Sequence, residues 1–382
     1  MFAMKRWYPL GFFLALCTSV AILAGCSTLD EKQRAWIFQP SDRSWGGGDA
    51  AAEGMDDVWI SFKARSGRDP VRLHGLWLEA DQPAGVRSLA APGGRAAANA
   101  LATPRTLALP NPLAAPVLLY LHGARYNVTG SAPRMRRMQE LGFSVLAIDY
   151  RGFGKSTAGL PSEKSAYEDA RAAWDWLALK YPDRPRYIFG HSLGGSIAID
   201  LAASVSDEKG TIVEGTFTSI ADVVGSSEWG WVPLSMLITQ RFEAVGKVAR
   251  VGSPLLVVHG DSDRLILPDL GKKLYEAAVE PKRFLLVKGG SHHNTNFIGQ
   301  AQYRNALVEL MNIGPFDKPA TDGLADNPSA GAGTSDRDPQ AKPKSVTPAG
   351  RRNTATATET ASVDAAPSPA GFGDDSLLTQ FK

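Results

Sequence analysis

Residues 187–196 read YIFGHSLGGS, and this stretch decides the fold class. The apolar run at 187–189 is typical of a strand, and the residues that follow Ser192 are typical of a helix that continues to residue 204. A serine set between glycines on a sharp strand-to-helix turn is a nucleophile elbow, because the close backbone leaves no room for Cβ atoms. The helix dipole would stabilise negative charge beside the Ser192 hydroxyl. The alternative is a glycine-rich turn without chemistry.

A serine hydroxyl needs a base to act as a nucleophile, and the base needs a carboxylate to orient it. Residues 258–263 read VHGDSD at the end of a predicted strand, which offers Asp261 and Asp263. Residues 289–294 read GGSHHN after the last predicted strand, which offers His292 and His293. The chain order serine, aspartate, histidine is the order that accompanies a nucleophile elbow, and ligands bind at the carboxyl ends of parallel strands. The sequence therefore predicts a Ser–His–Asp triad.

Strands and helices alternate along most of the chain, which predicts an α/β fold with a mainly parallel central sheet covered by helices on both faces. Continuous apolar runs such as 117–121 indicate strands that are buried on both faces. The predicted strands are 58–62, 71–78, 117–121, 143–148, 187–189, 211–213, 255–258 and 283–287. The predicted helices are 135–141, 167–181, 194–204, 270–279 and 297–311.

With these motifs in place, the stretch from residue 57 to 313 resembles the α/β-hydrolase superfamily. It is most similar to single-domain serine hydrolases of the Bem46-like and prolyl-oligopeptidase-like type. LHGA at 121–124 resembles the oxyanion loop of that superfamily, and DYRGFGKS at 149–156 resembles the loop after its fourth strand. The resemblance implies the α/β-hydrolase fold with a small cap, over about 219–250.

The resemblance also selects among the candidate triad residues. In GDSDRLILP, residues 260–268, the superfamily's aspartate stands three residues after the glycine and five before the proline, which favours Asp263 over Asp261. The small-residue run before the histidines favours His292. His293 stays open, because asparagine often follows the catalytic histidine and Asn294 follows His293 here.

The roles that the resemblance implies are those of acyl transfer. Ser192 attacks an acyl carbonyl, His292 accepts its proton and later delivers it to the leaving group, and Asp263 orients the imidazole. The backbone N–H groups of Ala124 and Leu193 bind the oxyanion. No cofactor and no metal is implied.

The N-terminus is similar to a bacterial lipoprotein signal. Lys5 and Arg6 precede an uncharged stretch over residues 7–24, which ends in the lipobox-like sequence LAGC at 23–26. The resemblance implies cleavage before Cys26 and lipidation of its thiol, and Ser27 after it favours the outer membrane, facing the periplasm. The alternatives are an uncleaved anchor or an ordinary secretory signal, since about 18 residues is close to the lower limit for crossing a bilayer.

The predicted organisation has five parts. Residues 1–25 form the signal peptide, and 26–56 contain the lipidated cysteine and a polar tether. Residues 57–316 form the hydrolase domain, with a low-complexity insertion at 81–115 that is rich in alanine, proline and glycine. Residues 317–382 form a disordered tail, because their composition buries too little apolar surface to offset chain entropy.

Composition excludes several other classes of protein. The 41 basic and 39 acidic residues give a net charge of +2, which provides no basic field for nucleic acid. Lys5 and Arg6 account for that excess. Two cysteines cannot build a disulfide framework or a four-cysteine zinc site.

The sequence thus predicts a lipid-anchored serine hydrolase that acts on a small-molecule acyl ester and meets the membrane through the lipid on Cys26. A peptidase or thioesterase would use the same triad and remains an alternative. A non-catalytic hydrolase-fold envelope lipoprotein is the second alternative.

Overall fold

An eight-stranded, mainly parallel sheet forms the centre of the computed structural model, which describes residues 25, 27–42, 47–65, 67, 69–81, 115–226 and 237–313. The strand order is β1-β2-β4-β3-β5-β6-β7-β8. β2 pairs antiparallel with both β1 and β4, and all other neighbours are parallel. The strands are β1 Asp56–Lys63, β2 Pro70–Leu78, β3 Val117–Leu121, β4 Ser144–Ile148, β5 Arg186–His191, β6 Glu208–Glu214, β7 Leu255–Gly260 and β8 Lys282–Val287.

Helices cover both faces of this sheet, which confirms the predicted fold class. Side chains of β3 alternate: Leu119 joins a core that contains Leu177 and Ile197, and Leu118 joins a core that contains Met138. The helices are α1 at 27–38, α2 Gly48–Ala52, α3 Ala132–Glu140, α4 Glu163–Lys180, α5 Leu193–Ala202, α6 Ile220–Gly225, α7 Val245–Val248, α8 Pro268–Ala277, α9 Thr295–Ile298 and α10 Gln300–Met311.

The central strands are buried throughout, as their apolar sequences predict. Every residue of β3, β4 and β7 is buried. Strands with both faces covered need no polar alternation, because neither face meets water. All the parallel strands point their carboxyl ends to one edge of the sheet, so β5, β7 and β8 deliver their following loops to the same place.

The prediction of one helix over 297–311 is wrong, because two helices, α9 and α10, meet at Gly299. A Cβ atom on Gly299 would lie 2.8 Å from Val287 Cγ2 and 3.0 Å from the Thr295 carbonyl oxygen. The chain therefore passes too close to the end of β8 for a side chain at this position.

The prediction of a polar tether over 26–56 is wrong for residues 27–38, which form helix α1, and for 48–52, which form α2. Phe38 is fully buried and makes edge-to-face contacts with Phe153 and Phe242. Arg34 Nε donates to the Pro161 carbonyl at 2.9 Å. Burial of so large a ring provides the hydrophobic free energy that a free tether would lack.

Several predicted segments lie outside the described residues. These are the signal peptide apart from Gly25, Cys26, most of the insertion (82–114), part of the cap (227–236), residues 314–316 at the end of the hydrolase domain and the whole tail at 317–382. The described part of the cap contains α6 and α7. Within the described ranges, no helix has both the length and the apolar character needed to cross a membrane.

Candidate active site

Ser192 occupies the turn between β5 and α5, and its backbone is strained. Its φ of +56° and ψ of −122° are unusual for a residue other than glycine. The Ser192 N–H donates to the Glu214 carbonyl at 2.9 Å, which fixes the turn on β6. A Cβ atom on Gly194 would lie 2.1 Å from the Leu121 carbonyl oxygen, and one on Gly190 would lie 2.3 Å from the Gly194 carbonyl oxygen. The turn therefore requires the glycines that the sequence supplies.

His292 lies between Ser192 and Asp263. Its Nε2 is 3.0 Å from Ser192 Oγ, and its Nδ1 is 2.8 Å from Asp263 Oδ2. His292 is buried, whereas the neighbouring His293 is exposed. The hydrogen-bonded chain therefore passes through His292 and not through His293.

The carboxylate that meets His292 is that of Asp263. Its Oδ1 accepts the backbone N–H groups of Leu265 and Ile266, both at 2.9 Å. Burial alone would raise the pKa of Asp263, but hydrogen bonds from His259 and His292 outweigh it, so that its pKa lies below the ordinary value. Asp263 is therefore ionised at neutral pH and fixes the imidazole with Nδ1 protonated.

Asp261, the other candidate acid, is exposed and joins two loops instead. Its Oδ1 accepts the Gly289 N–H at 2.8 Å and the Ser262 hydroxyl at 2.8 Å. Asp261 thus holds the loop after β7 against the loop after β8.

The two predicted oxyanion residues belong to segments that adjoin Ser192. Leu193 is the first residue of α5, and Ala124 follows Gly123, whose Cβ atom would lie 3.1 Å from Ser192 Cβ. The next residue, Arg125, has a φ of +65° and donates its N–H to the Phe38 carbonyl at 2.8 Å. The end of α1 therefore supports the loop that carries Ala124.

His122 and His259 stabilise loops next to the site. His259 Nε2 lies 2.8 Å from the Ile266 carbonyl oxygen, and His122 Nδ1 lies 2.7 Å from the Gly123 carbonyl oxygen. Burial lowers the pKa of His122, which keeps its ring neutral beside the serine loop. In the described part of the chain, no three His, Cys, Asp or Glu side chains form a cluster that could hold a metal ion.

Sequence reasoning missed a buried charge pair beneath this site. Arg134 of α3 and Glu214 at the end of β6 are joined by an ion pair of 3.1 Å, and the Glu214 side chain is fully buried. The Tyr303 hydroxyl donates to the other oxygen of Glu214. Glu214 is the last residue of TIVE, 211–214, which is otherwise free of charge. An acid at the end of such a run is a sequence signal that could have identified Glu214 as a buried functional residue. Arg134 carries no comparable signal.

The arrangement can transfer a proton from a hydroxyl to an imidazole whose opposite nitrogen is held by a carboxylate. Such a relay generates an alkoxide-like nucleophile at a helix N-terminus, next to main-chain N–H groups. These features together suit nucleophilic attack on a carbonyl carbon.

Comparisons with known proteins support a hydrolase. Residues 113–244 match the family described as Hydrolase_4, serine aminopeptidase, S33. The chain is 34% identical over 198 residues to uncharacterized protein Rv2307c of Mycobacterium tuberculosis, which covers 51% of this chain and 69% of that protein. It is 32% identical over 187 residues to the lysophosphatidylserine lipase ABHD12 of Danio rerio, covering 44% of this chain and 48% of the lipase.

A solved structure shows the same fold. The esterase Pf2001 of Pyrococcus furiosus superimposes with a TM-score of 0.50 at 17% identity, over 71% of this chain and 99% of the esterase. The chain spans about half the length of the lysophosphatidylserine lipase that it matches.

Proposed function

Because the chain belongs to the α/β-hydrolase superfamily, we propose that it is a serine hydrolase that cleaves acyl esters through an acyl-enzyme intermediate. The observation that carries the proposal is the hydrogen-bonded chain from Ser192 Oγ through His292 to Asp263, with distances of 3.0 and 2.8 Å. Peptidases and lipases occur in the same superfamily and hydrolase family, so the triad alone does not identify an ester as the substrate. The Bem46-like subtype remains a prediction from the motifs.

The first half-reaction forms the acyl-enzyme. Ser192 Oγ attacks the carbonyl carbon while its proton passes to His292 Nε2, and the carbonyl oxygen becomes an oxyanion that the N–H groups of Ala124 and Leu193 receive. The imidazolium then gives its proton to the leaving alcohol as the C–O bond breaks. Each oxyanion donor is typically worth about 10²–10³ in rate.

The second half-reaction releases the acid. Water takes the place of the alcohol, gives a proton to His292 and attacks the acyl carbon. Collapse of the second tetrahedral intermediate returns the proton to Ser192 Oγ and frees the carboxylic acid. Asp263 remains ionised throughout and stabilises the imidazolium in both halves.

Ester substrates with a lipid acyl chain are favoured by the relatives, since one of them carries the name lysophosphatidylserine lipase. A peptidase activity is the second candidate, because the matching family is described as serine aminopeptidases. Both activities use the same triad, and they differ in whether the leaving group is an alcohol or an amine.

Labelling with a fluorophosphonate probe tests the proposal. We expect wild-type protein to be labelled and Ser192→Ala to lose the label. Ser204→Ala, which removes the hydroxyl of an exposed residue just after α5, serves as the matched control and should be labelled normally. Unlabelled wild-type protein, or equal labelling of Ser192→Ala, contradicts the catalytic proposal and favours a binding protein.

A substrate panel then assigns the leaving group. Nitrophenyl esters of increasing chain length, lysophosphatidylserine and an aminoacyl nitroanilide are compared by kcat/KM. An esterase prefers the esters, and a higher kcat/KM for the anilide assigns a peptidase instead.

We also propose that Cys26 carries a lipid that anchors the protein in the bacterial envelope, facing the periplasm from the outer membrane. The lipobox-like sequence at 23–26 supports this, and two or more acyl chains would hold the protein firmly. Cys26→Ala should move the protein from the membrane fraction to the soluble fraction, whereas Cys17→Ala should leave it membrane-bound. Unchanged partitioning of Cys26→Ala contradicts the anchor.

A further inference from the structure

Arg134 lies outside the triad, yet its guanidinium reaches the main chain of the catalytic histidine loop. Nη2 of Arg134 is 3.1 Å from the His292 carbonyl oxygen and 3.0 Å from the His293 carbonyl oxygen. Arg134 precedes these two histidines by 158 and 159 positions in the sequence, and its side chain contacts the main chain of both. The Arg134 side chain is only 12% exposed.

Glu214 fixes the orientation of this guanidinium. Its Oε1 accepts from Arg134 Nε at 3.1 Å, and its Oε2 accepts the Tyr303 hydroxyl. Because both carboxylate oxygens have donors, the buried negative charge is compensated and the guanidinium plane is set. The pair therefore presents Nη2 to the histidine loop in a defined direction.

His191, which immediately precedes Ser192, completes the contact. Its Nε2 lies 3.0 Å from the His292 carbonyl oxygen and 3.1 Å from Arg134 Nη2. His191 Nε2 donates to the His292 carbonyl when it carries the ring proton and accepts from Arg134 Nη2 when it does not, so either tautomer adds to the contact. Burial, with the positive charge of Arg134, holds the pKa of His191 well below its ordinary value, which keeps the ring neutral.

These contacts differ from the others that hold the loop. Turn bonds such as Ser291 N–H to Asn294 Oδ1 at 2.7 Å shape the loop internally. Asp261 and the Ser262 N–H tie it to the acid loop. Arg134 of α3 and His191 at the end of β5 hold the His292 main chain next to Ser192, whose Oγ lies 3.0 Å from His292 Nε2.

We propose that Arg134 is a positioning residue for the catalytic base: held by Glu214, it fixes the main chain of His292 against the nucleophile elbow. The inference rests on the proposed function, since it acts through the triad. It assigns no contact with substrate to Arg134. Misplacement of a catalytic group by about 1 Å can cost about 10² in rate, and this sets the size of the expected effect.

Arg134→Ala tests the inference. We expect kcat to fall about 10²-fold with little change in KM, because substrate binding does not use Arg134. The rate of fluorophosphonate labelling should fall in parallel, since that step also needs His292 as base. Guanidinium added at millimolar concentration should restore part of kcat by occupying the vacated place, whereas methylammonium lacks the planar fork and should not.

Arg136→Ala is the matched control. Arg136 stands on the same helix and also donates to main-chain carbonyls, those of Ala51 and Glu53, but these lie on and next to α2. We expect its kcat to match that of the wild type. An equal loss in both variants would assign a general structural role to these arginines and overturn the inference.

A second variant covers the case in which Arg134→Ala leaves Glu214 buried without a partner and does not fold. Arg134→Met with Glu214→Gln removes both charges together, which avoids an uncompensated buried carboxylate. The loop carbonyls still lose their donor, so the same fall in kcat is expected of the folded protein. Wild-type kcat in this double variant overturns the inference. Equal recovery of Arg134→Ala with guanidinium and with methylammonium overturns it as well.

The outcomes separate this inference from the proposed function. If wild-type protein is labelled through Ser192 but the Arg134 variants are labelled at the wild-type rate, only the positioning role is overturned. If wild-type protein is not labelled at all, the hydrolase proposal itself is contradicted.

Discussion

His292 Nε2 lies 3.0 Å from Ser192 Oγ, although the two residues are 100 positions apart in the chain. β5 and β8 deliver them to the same edge of the sheet, and the Asp263 carboxylate holds the other nitrogen of the ring at 2.8 Å. A hydroxyl in this position can lose its proton to the imidazole as it attacks a carbonyl.

The two neighbouring histidines should differ sharply in their effect on catalysis. His292→Ala removes the base and should lower kcat by roughly 10⁶, as loss of a triad member does in other serine hydrolases. His293→Ala keeps its main-chain carbonyl, and the exposed side chain lies outside the triad. It should retain most of the wild-type kcat. Steady-state kinetics on a nitrophenyl ester measures both, and a larger loss in His293→Ala would move the base to His293.

Replacement of the acid should leave the shape of the site but change the imidazole tautomer. Asp263→Asn should lower kcat by about 10⁴, because an amide no longer selects the Nδ1-protonated ring. Asp261→Asn serves as the control, since Asp261 bonds to Gly289 and Ser262 and not to His292. Burst and steady-state kinetics would show the contrast. Comparable losses in the two variants would mean that Asp261 shares the role of the acid.

Acidification should remove a stabilising contribution of Asp263. Burial would raise its pKa, but hydrogen bonds from His259 and His292 outweigh it and lower the pKa. A carboxyl whose pKa is lower in the folded state stabilises that state above its unfolded-state pKa of about 3.9, and this stabilisation is lost as the pH falls through its folded-state pKa. The free energy of unfolding should therefore decrease more steeply below about pH 4 in wild type than in Asp263→Asn. Urea denaturation across this pH range provides the test, and parallel curves would contradict it.

Gly194 should not tolerate a side chain. Its Cβ atom would lie 2.1 Å from the Leu121 carbonyl oxygen and 2.5 Å from the His122 carbonyl oxygen, and neither backbone atom can move without displacing the oxyanion loop. Gly194→Ala should lower the free energy of unfolding by roughly 1–3 kcal/mol or more and reduce kcat. Gly225→Ala is the control, because no atom of the described residues lies within 4 Å of its added Cβ. Equal stability of the two variants would show that the elbow is looser than the structure indicates.

The docking of α1 should contribute measurably to stability. Phe38→Ala removes a fully buried ring that contacts Phe153 and Phe242, and should cost about 3–5 kcal/mol. Leu29→Ala on the same helix removes a side chain that is 38% exposed, and should change stability by about 0.5 kcal/mol or less. Urea denaturation compares them. A free energy of unfolding in Phe38→Ala equal to that of wild type would mean that α1 is detached in solution.

The central sheet could be predicted from sequence because its signals are local. Strands such as β3 and β7 are apolar throughout, and a strand buried on both faces has that pattern wherever it pairs. The split between α9 and α10 could not be predicted in this way. Gly299, at the junction, approaches Val287 of β8, and helical periodicity does not encode such a contact with another element.

The N-terminal segment shows the same limit. Residues 27–38 carry many polar side chains, which favoured a tether. The helix is stabilised by the packing of Phe38 against Phe153 and Phe242 and by the bond from Arg34 to the Pro161 carbonyl. Helical stability in proteins comes mostly from such packing and less from intrinsic propensity.

The sequence by itself determined which residues could form the triad and in what order, because glycine-flanked turns after apolar strands are local patterns of backbone geometry. Only the tertiary structure decided that His292 and not His293 faces Ser192, and that Arg134 and Glu214 hold the loop of the base. These choices depend on distances between side chains that are far apart in the chain. Such distances are set by how the sheet and its helices pack, and no spacing along the sequence records them.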